Sequence, residues 1–204
     1  MKPVVIYLVR HGAIDTGRER RFIGQIDLPL SSGGVRQAEK LRDRLAGASL
    51  AGIYCSDLTR SLETARIIAA EHPVPLVADA DLREISLGAW EGLSFAEINR
   101  RYPAEFARRG DDIAGYVPPG GESFASFGRR IMTAFNRLVE QANRDILIVG
   151  HAGVNRVIIS RLLGVPLHNI FYIGQDYACL NIICREKGKY KIKLLNSTEH
   201  LQAG

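Results

Sequence analysis

The fold is decided by Val4-Val5-Ile6-Tyr7-Leu8-Val9, which Arg10-His11-Gly12 follows directly. An uninterrupted apolar run rich in β-branched residues is typical of a strand that is buried on both faces. Two later runs have the same character: residues 53–55, followed by Ser56-Asp57, and residues 146–149, followed by Gly150-His151. Helical patterns lie between these runs, and this alternation predicts an α/β protein with a mainly parallel sheet.

The helices are predicted from apolar residues at three- and four-residue spacing, bounded by capping and stop signals. We expect a first helix from Ser31 or Ser32 to Gly47, with Val35 facing inward, and a second helix capped by Ser56 or Asp57. Single helices are expected over residues 94–109 and 123–142, and a last one between His151 and Gly164. Weaker strands are expected over residues 74–77, 178–184 and 190–195.

Two histidines and two arginines follow the ends of the predicted buried strands. Arg10 and His11 follow the first, Arg60 lies just beyond the second, and His151 follows the third. Because ligands bind outside the carboxyl ends of strands in open α/β sheets, we expect these four side chains at one edge. Arginine suits phosphate because its planar fork bonds two oxygens, and a helix N-terminus after His151 adds N–H donors. The sequence therefore predicts a phosphate site.

Six blocks of the chain, in order, resemble the histidine phosphatase superfamily, which includes the cofactor-dependent phosphoglycerate mutases. The first is Arg10-His11-Gly12, and the sixth is Val149-Gly150-His151-Ala152-Gly153-Val154. Between them come Gly24, Asp27, Pro29-Leu30-Ser31, Gly34 and Gln37-Ala38; Ser56-Asp57-Leu58-Thr59-Arg60 and Thr64-Ala65; Leu82-Arg83-Glu84, Gly88 and Glu91-Gly92; and Gly121-Glu122-Ser123. Each block is modest alone, but the ordered set is specific and covers most of the chain.

The resemblance implies a three-layer α/β/α sandwich and a mechanism. His11 would be the nucleophile that attacks phosphorus, and Arg10, Arg60 and His151 would hold the phosphoryl oxygens. Glu84 would protonate the leaving oxygen and then activate the water that hydrolyses phosphohistidine. Positive side chains can stabilise the charge on the transferring oxygens, so the scheme needs no metal and no cofactor.

The substrate pocket is expected to include Ile23, Gly24 and Ala152 beside the catalytic residues. Three positions depart from the family pattern: Ala13 stands where Glu or Gln is common, Gly17 stands where Asn often supports the phosphate, and Ile23 replaces a polar residue common in some phosphatase branches. These departures affect the expected substrate contacts, but they leave the four phosphate residues and Glu84 in place.

Bulk composition limits the other possibilities. The 204 residues, 46% hydrophobic with a net charge of +5, fit one domain over residues 1–204. Lysines alternating with apolar residues over 187–194 indicate an exposed edge strand, not a nucleic-acid surface. We expect no membrane segment and no signal peptide. Cys55, Cys179 and Cys184 are read as buried free thiols of a cytoplasmic protein. A homodimer is compatible with the sequence, which does not decide it.

The expected function is hydrolysis of a small phosphomonoester through a phosphohistidine intermediate. The compact length and the block from Arg21-Phe22 to Leu30 favour the α-ribazole phosphatase-like branch, linked to cobalamin biosynthesis, although broad-specificity phosphatases share these features. The alternatives are phosphoglycerate mutase-type phosphoryl transfer and a module that binds phosphorylated ligands without turnover.

Overall fold

The computed structural model describes residues 3–17 and 19–202, so the predicted domain ends at residues 1 and 204 lie outside it. In chain order the elements are β1 (Val4–Arg10), α1 (Ser32–Leu45), β2 (Leu50–Cys55), α2 (Thr59–Ala69), β3 (Leu76–Ala78), α3 (Phe95–Arg101), α4 (Pro103–Asp111), α5 (Phe124–Gln141), β4 (Asp145–Gly150), α6 (Ala152–Leu163), β5 (Leu180–Glu186), β6 (Lys189–Ser197) and α7 (Glu199–Gln202). Short 3₁₀ turns span Ala80–Leu82, Gly88–Trp90 and Leu167–Tyr172.

The sheet has six strands in the order β3-β2-β4-β1-β5-β6. The pairings from β3 to β1 are parallel, and β5 and β6 add an antiparallel edge. Arg10 pairs with Gly150 across β1 and β4, and Cys55 pairs with Val149 across β2 and β4. The carboxyl ends of these three strands therefore lie side by side, which confirms the mainly parallel α/β prediction and brings together the segments that follow them.

Helices cover both faces of the sheet, as alternating side chains along β4 show. Ile146 and Ile148 pack with α5 and α6 in one core, which includes Phe127, Ile131 and Val157. Leu147 and Val149 point to the other face and pack with α1 and α2. Successive strand residues face opposite sides, so an unbroken apolar run serves two cores. The result is the expected three-layer α/β/α sandwich.

Three local predictions were wrong. The helix expected over residues 94–109 is two helices, α3 and α4, that meet at Tyr102, because Pro103 cannot continue a helix but suits the first turn of the next. Neither Ser56 nor Asp57 caps α2, whose N-cap is Leu58. Val35 on α1 is 37% exposed and does not face inward as predicted. The neighbouring Gly34 is the buried residue, and it packs directly against the backbone of Ala13.

Other sequence predictions are confirmed. Ser31 caps α1 by accepting the Gly34 N–H at 3.1 Å, although the helix ends at Leu45 before Ala46, short of Gly47. Strand β6 lies at the sheet edge with its lysines exposed. The three cysteines are free, with Cys184 only partly buried. Within the described ranges, no helix has the length and apolarity needed to cross a membrane.

Candidate active site

The structure brings His11, His151, Arg10 and Arg60 to one end of the sheet. His11 donates its backbone N–H to the Gly150 carbonyl at 3.1 Å, which fixes the end of β1 beside the start of α6. The imidazole rings of His11 and His151 then lie edge to face, with centroids 5.1 Å apart. Both histidines are buried, and Arg60, on the first turn of α2, is 1% exposed.

The hydrogen bond of His11 selects one tautomer of its ring. Nδ1 lies 2.7 Å from the Gly12 carbonyl oxygen, which can only accept, so Nδ1 carries the proton and donates it. Burial, and then the charges of Arg10 and Arg60, hold the His11 pKa well below its usual value. The ring is therefore neutral at pH 7, and Nε2 keeps the lone pair that a nucleophile needs.

Both arginines are fixed by backbone carbonyls. Arg10 donates from Nη1 to the Gln175 carbonyl at 2.7 Å and lies over the Tyr177 ring, with 3.7 Å from Cζ to the centroid. Arg60 donates from Nη1 to the Ile26 carbonyl and from Nη2 to the Gly24 carbonyl, at 2.7 and 2.6 Å. Neither has a carboxylate at ion-pair distance among the described residues. One buried and one partly buried charge without a counterion make a strong anion site.

His151 adds a third donor. Its Nε2 lies 2.6 Å from the Ser56 hydroxyl, the contact that Ser56 makes instead of capping a helix. Burial, together with the charges of Arg60 and Arg10, holds the His151 pKa well below its usual value, so the ring is neutral. When Nε2 accepts the Ser56 proton, Nδ1 must carry the remaining one. His151 Nδ1, Arg10 Nε and Arg60 Nε are all buried without a partner in the part of the chain described.

Glu84 is tied to the same place by the start of α6. Its Oε2 accepts the Gly153 N–H at 2.8 Å and its Oε1 accepts the Ile85 N–H at 3.0 Å, and the residue is 8% exposed. A Cβ at Gly153 would overlap Glu84 Oε1, so this glycine lets the carboxylate approach. Glu84 therefore lines the same cavity as His11 rather than standing in solvent.

A second carboxylate, Glu91, organises the loop that holds Arg60. It accepts the backbone N–H groups of Gly24, Gln25 and Ile26 at 3.0, 2.8 and 3.3 Å, and that of Leu87 at 3.0 Å. Since the carbonyls of Gly24 and Ile26 bind Arg60, Glu91 positions the guanidinium through the loop. Sequence reasoning missed this role, because it depends on backbone donors more than 60 residues away.

Arg10, His11, Arg60 and Glu84 line a cavity of about 320 Å³, whereas Glu91 and the fully buried His151 lie outside its lining. Ile23 and Ala152 lie in its wall as expected, whereas Gly24 lies behind Arg60 and is outside the lining. Ala13 and Gly17 do not line it either: Ala13 donates its N–H to the Gln37 side chain, and Thr16 lies in the wall. Most of the rest of the wall is formed by aromatic and arginine side chains, namely Arg20, Arg21, Phe22, Phe95, Arg109, Phe124, Arg156, Phe171 and Tyr177, and Ile14, Ile85, Leu87 and Gly153 complete it.

The remaining polar candidates have other partners. Asp57 forms a bidentate pair with Arg83, with Nε to Oδ1 at 2.7 Å, which keeps the Asp57 pKa below its usual value. Trp90 is 1% exposed and packs in the core against Phe22. Across residues 3–17 and 19–202, no three His, Cys, Asp or Glu side chains are grouped so as to hold a metal ion.

A neutral histidine, one buried and one partly buried arginine and a second histidine at the carboxyl end of a parallel sheet form a site suited to a phosphoryl group. Residues 6–198 match the histidine phosphatase superfamily (branch 1), and the chain belongs to that superfamily. Membership of this superfamily, with relatives that are named phosphatases, makes the chain an enzyme.

Three relatives illustrate the similarity. The adenosylcobalamin/α-ribazole phosphatase of Salmonella typhimurium is 30% identical over 94% of this chain and 96% of its own. Phosphoserine phosphatase 1 of Hydrogenobacter thermophilus is 31% identical over 97% of this chain and 94% of its own. The solved structure of Bacillus stearothermophilus YhfR matches with a TM-score of 0.89 and 32% identity, over 97% of this chain and 99% of that one.

Proposed function

We propose that this chain hydrolyses small phosphomonoesters through a phosphohistidine intermediate, without a metal ion. The observation that carries the proposal is the state of His11: a neutral ring with Nδ1 bound to Gly12 and Nε2 left for attack. Three buried donors without partners, on Arg10, Arg60 and His151, accompany it. Arginine charge at the phosphoryl oxygens does the work that a metal ion does in other phosphatases.

The reaction has two balanced steps. In the first, His11 Nε2 bonds to phosphorus, the bond to the ester oxygen breaks, and Glu84 in its protonated form gives that oxygen a proton. In the second, the Glu84 carboxylate takes a proton from water, whose oxygen attacks the phosphohistidine and releases inorganic phosphate and neutral His11. Arg10, Arg60 and His151 bind the three phosphoryl oxygens throughout, where charge stabilisation matters most.

The physiological substrate is proposed from the relatives. The α-ribazole phosphatase name of the Salmonella typhimurium relative makes α-ribazole 5'-phosphate one candidate, and this would place the chain in cobalamin biosynthesis. The phosphoserine phosphatase name of another relative makes a small phosphorylated amino acid a second candidate. We further infer a cytoplasmic location, supported by Cys55, Cys179 and Cys184 all being free thiols.

The test is turnover and trapping with a generic aryl phosphate. We expect the wild-type protein to release phosphate and, when quenched during turnover, to carry acid-labile, base-stable phosphate on His11. His11→Ala should lose both, whereas His168→Ala, a change at an exposed histidine of the 3₁₀ turn Leu167–Tyr172, should keep both.

Each alternative gives a different result in the same assay. Substantial phosphate release by folded His11→Ala refutes the nucleophile. Binding of the aryl phosphate or vanadate without any release of phenol indicates a binding module. Transfer of the phosphoryl group to an added alcohol in preference to water indicates mutase-type chemistry.

A further inference from the structure

The cavity extends beyond the phosphate site along a wall that the proposed hydrolysis does not use. Arg109 on α4 and Arg156 on α6 line this part, with Phe171 of the 3₁₀ turn Leu167–Tyr172 next to both. The Arg109 guanidinium carbon lies 5.7 Å from the Phe171 ring centroid, and that of Arg156 lies 5.6 Å from it. Arg109 also lies 5.2 Å from the Phe22 centroid.

Neither arginine has a counterion. No carboxylate among the described residues lies at ion-pair distance from Arg109 or Arg156, whereas Arg21 of the same cavity pairs with Glu97 at 3.5 Å. Both are partly buried, and burial lowers the pKa of each guanidinium. Two partly desolvated charges without a protein partner are costly unless an anion binds there.

The geometry leaves their donors available to a ligand. A guanidinium that packs its face on an aromatic ring keeps its in-plane N–H groups free at the edge. Arg156 uses Nε to donate to the Ile173 carbonyl at 2.9 Å, and its two terminal nitrogens form no hydrogen bond with the residues that the structure describes. Carboxylate and phosphate are the anions that such planar forks recognise.

The charge balance of the cavity points the same way. The scissile phosphate is matched by Arg10 and Arg60, which lie with His11 and His151 at the end of the sheet. Glu84 is the one acidic side chain in the lining. Beside Arg20, whose guanidinium lies over the Phe95 ring, Arg109 and Arg156 therefore remain as positive charges that a single phosphate does not use, and the 320 Å³ volume admits a metabolite with a second charged group.

We propose that Arg109 and Arg156 form a second anion site and that the substrates are phosphomonoesters carrying a second anionic group, a carboxylate or another phosphate. A short apolar or planar linker joins this group to the scissile phosphate and packs on Phe22 and Phe171. This inference rests on the proposed function, because the second site selects among esters that the first site hydrolyses.

The test compares matched aryl phosphates that differ in the charge of one substituent. The 3- and 4-carboxyphenyl phosphates carry the second anion, the carbamoylphenyl phosphates are their neutral counterparts, and the phosphonophenyl phosphates replace the carboxylate by a phosphonate. We measure the ratio of kcat/KM for each anionic ester to that for its carbamoyl counterpart. Because the leaving phenols differ slightly, the decisive quantity is the change in this ratio between wild type and variant.

Arg109→Gln should lower the ratio on the order of 10- to 100-fold, the value of one charge-assisted hydrogen bond. Arg109→Lys, which keeps the charge, should retain much of it. Arg108→Gln is the matched control on the same helix, since Arg108 packs near Tyr116 and does not line this cavity. Whichever anionic substituent shows the larger change, carboxylate or phosphonate, identifies the source of the second anion.

A ratio that Arg109→Gln leaves within twofold of wild type, for every isomer, overturns the second site. The result does not depend on turnover, because carboxybenzyl and carbamoylbenzyl phosphonates, which cannot be hydrolysed, give the same comparison as a ratio of Kd values by calorimetry. Failure to hydrolyse phenyl phosphate together with an intact Kd ratio would reject the proposed function and keep the anion site. Melting temperatures of Arg109→Gln and Arg109→Lys equal to that of the wild-type protein show that the fold is retained.

Discussion

Changing Glu91 to glutamine tests whether the loop at residues 24–26 positions Arg60. Each carboxylate oxygen of Glu91 accepts two backbone N–H groups, Oε1 those of Gln25 and Leu87, and Oε2 those of Gly24 and Ile26. In glutamine one oxygen becomes an NH₂ group, which cannot accept. Two of the four bonds are lost, and two N–H groups then face another donor.

The magnitude follows from those two bonds. A hydrogen bond to a charged group is worth about 1.5–3 kcal/mol, so two give roughly 3–6 kcal/mol. Because the loop can relax and take up water, we expect the lower end, about 3 kcal/mol, in urea unfolding. The Gly24 and Ile26 carbonyls would then release Arg60, and misplacement of a phosphate ligand by about 1 Å costs on the order of 10²-fold in kcat/KM.

The assay is steady-state hydrolysis of an aryl phosphate, with vanadate inhibition as a measure of phosphate affinity. Both should weaken in Glu91→Gln, while the dependence of rate on the leaving group stays as in wild type, because Glu84 is untouched. Glu63→Gln is the control: Glu63 on α2 binds one backbone N–H, that of Leu30, and does not touch Arg60. A destabilised Glu91→Gln protein with kcat/KM within threefold of wild type would refute the positioning role.

Four further outcomes are expected. Glu84→Gln should slow alkyl phosphates by about 10²–10⁴-fold and aryl phosphates far less, since an aryl oxide leaves without a proton; equal small effects on both would show that Glu84 is not the acid. Activity should survive prolonged treatment with EDTA, and a complete loss that one divalent metal restores would contradict the metal-free mechanism. The acid limb of kcat/KM should lie well below pH 6.5, because burial keeps His11 neutral. The same burial predicts a pH-dependent stability. Above about pH 6.5 the free energy of unfolding should be at its full value, and below that pH it should fall by up to about 1.4 kcal/mol per histidine and pH unit, because the unfolded chain binds protons at His11 and His151 that the folded chain does not. A free energy of unfolding that urea titrations find independent of pH would contradict this.

The layout of the phosphate site could be predicted because it depends on sheet topology. Buried apolar runs separated by helices imply parallel strands, and parallel strands end at one edge. The sequence alone therefore predicts that Arg10, His11, Arg60 and His151 lie together. Their chemical roles, and the limits of one domain over residues 1–204, stay predictions, as does the homodimer.

The supporting residues could not be predicted, because their partners are distant in sequence and many are backbone atoms. Ser56 resembles a helix cap, yet its hydroxyl binds His151, 95 residues away. In the sequence Glu91 resembles a solvated loop carboxylate, because its partners, the backbone N–H groups of residues 24–26, are known only from the folded structure. One signal was present in the sequence: Gly153, at the second position of a helix, marks a place where another group must approach closely.

Helix α4 gives the molecule a separable layer of specificity. It begins at Pro103 and contributes no buried side chain to either core, yet it supplies Arg109 to the cavity wall. Apart from those at Phe106, which packs against the core, substitutions along it therefore cost little stability, while the proposed phosphate chemistry remains on the strand ends and on α2 and α6. Under the proposed second anion site, directed evolution of substrate range can be concentrated on this one helix without rebuilding the catalytic end.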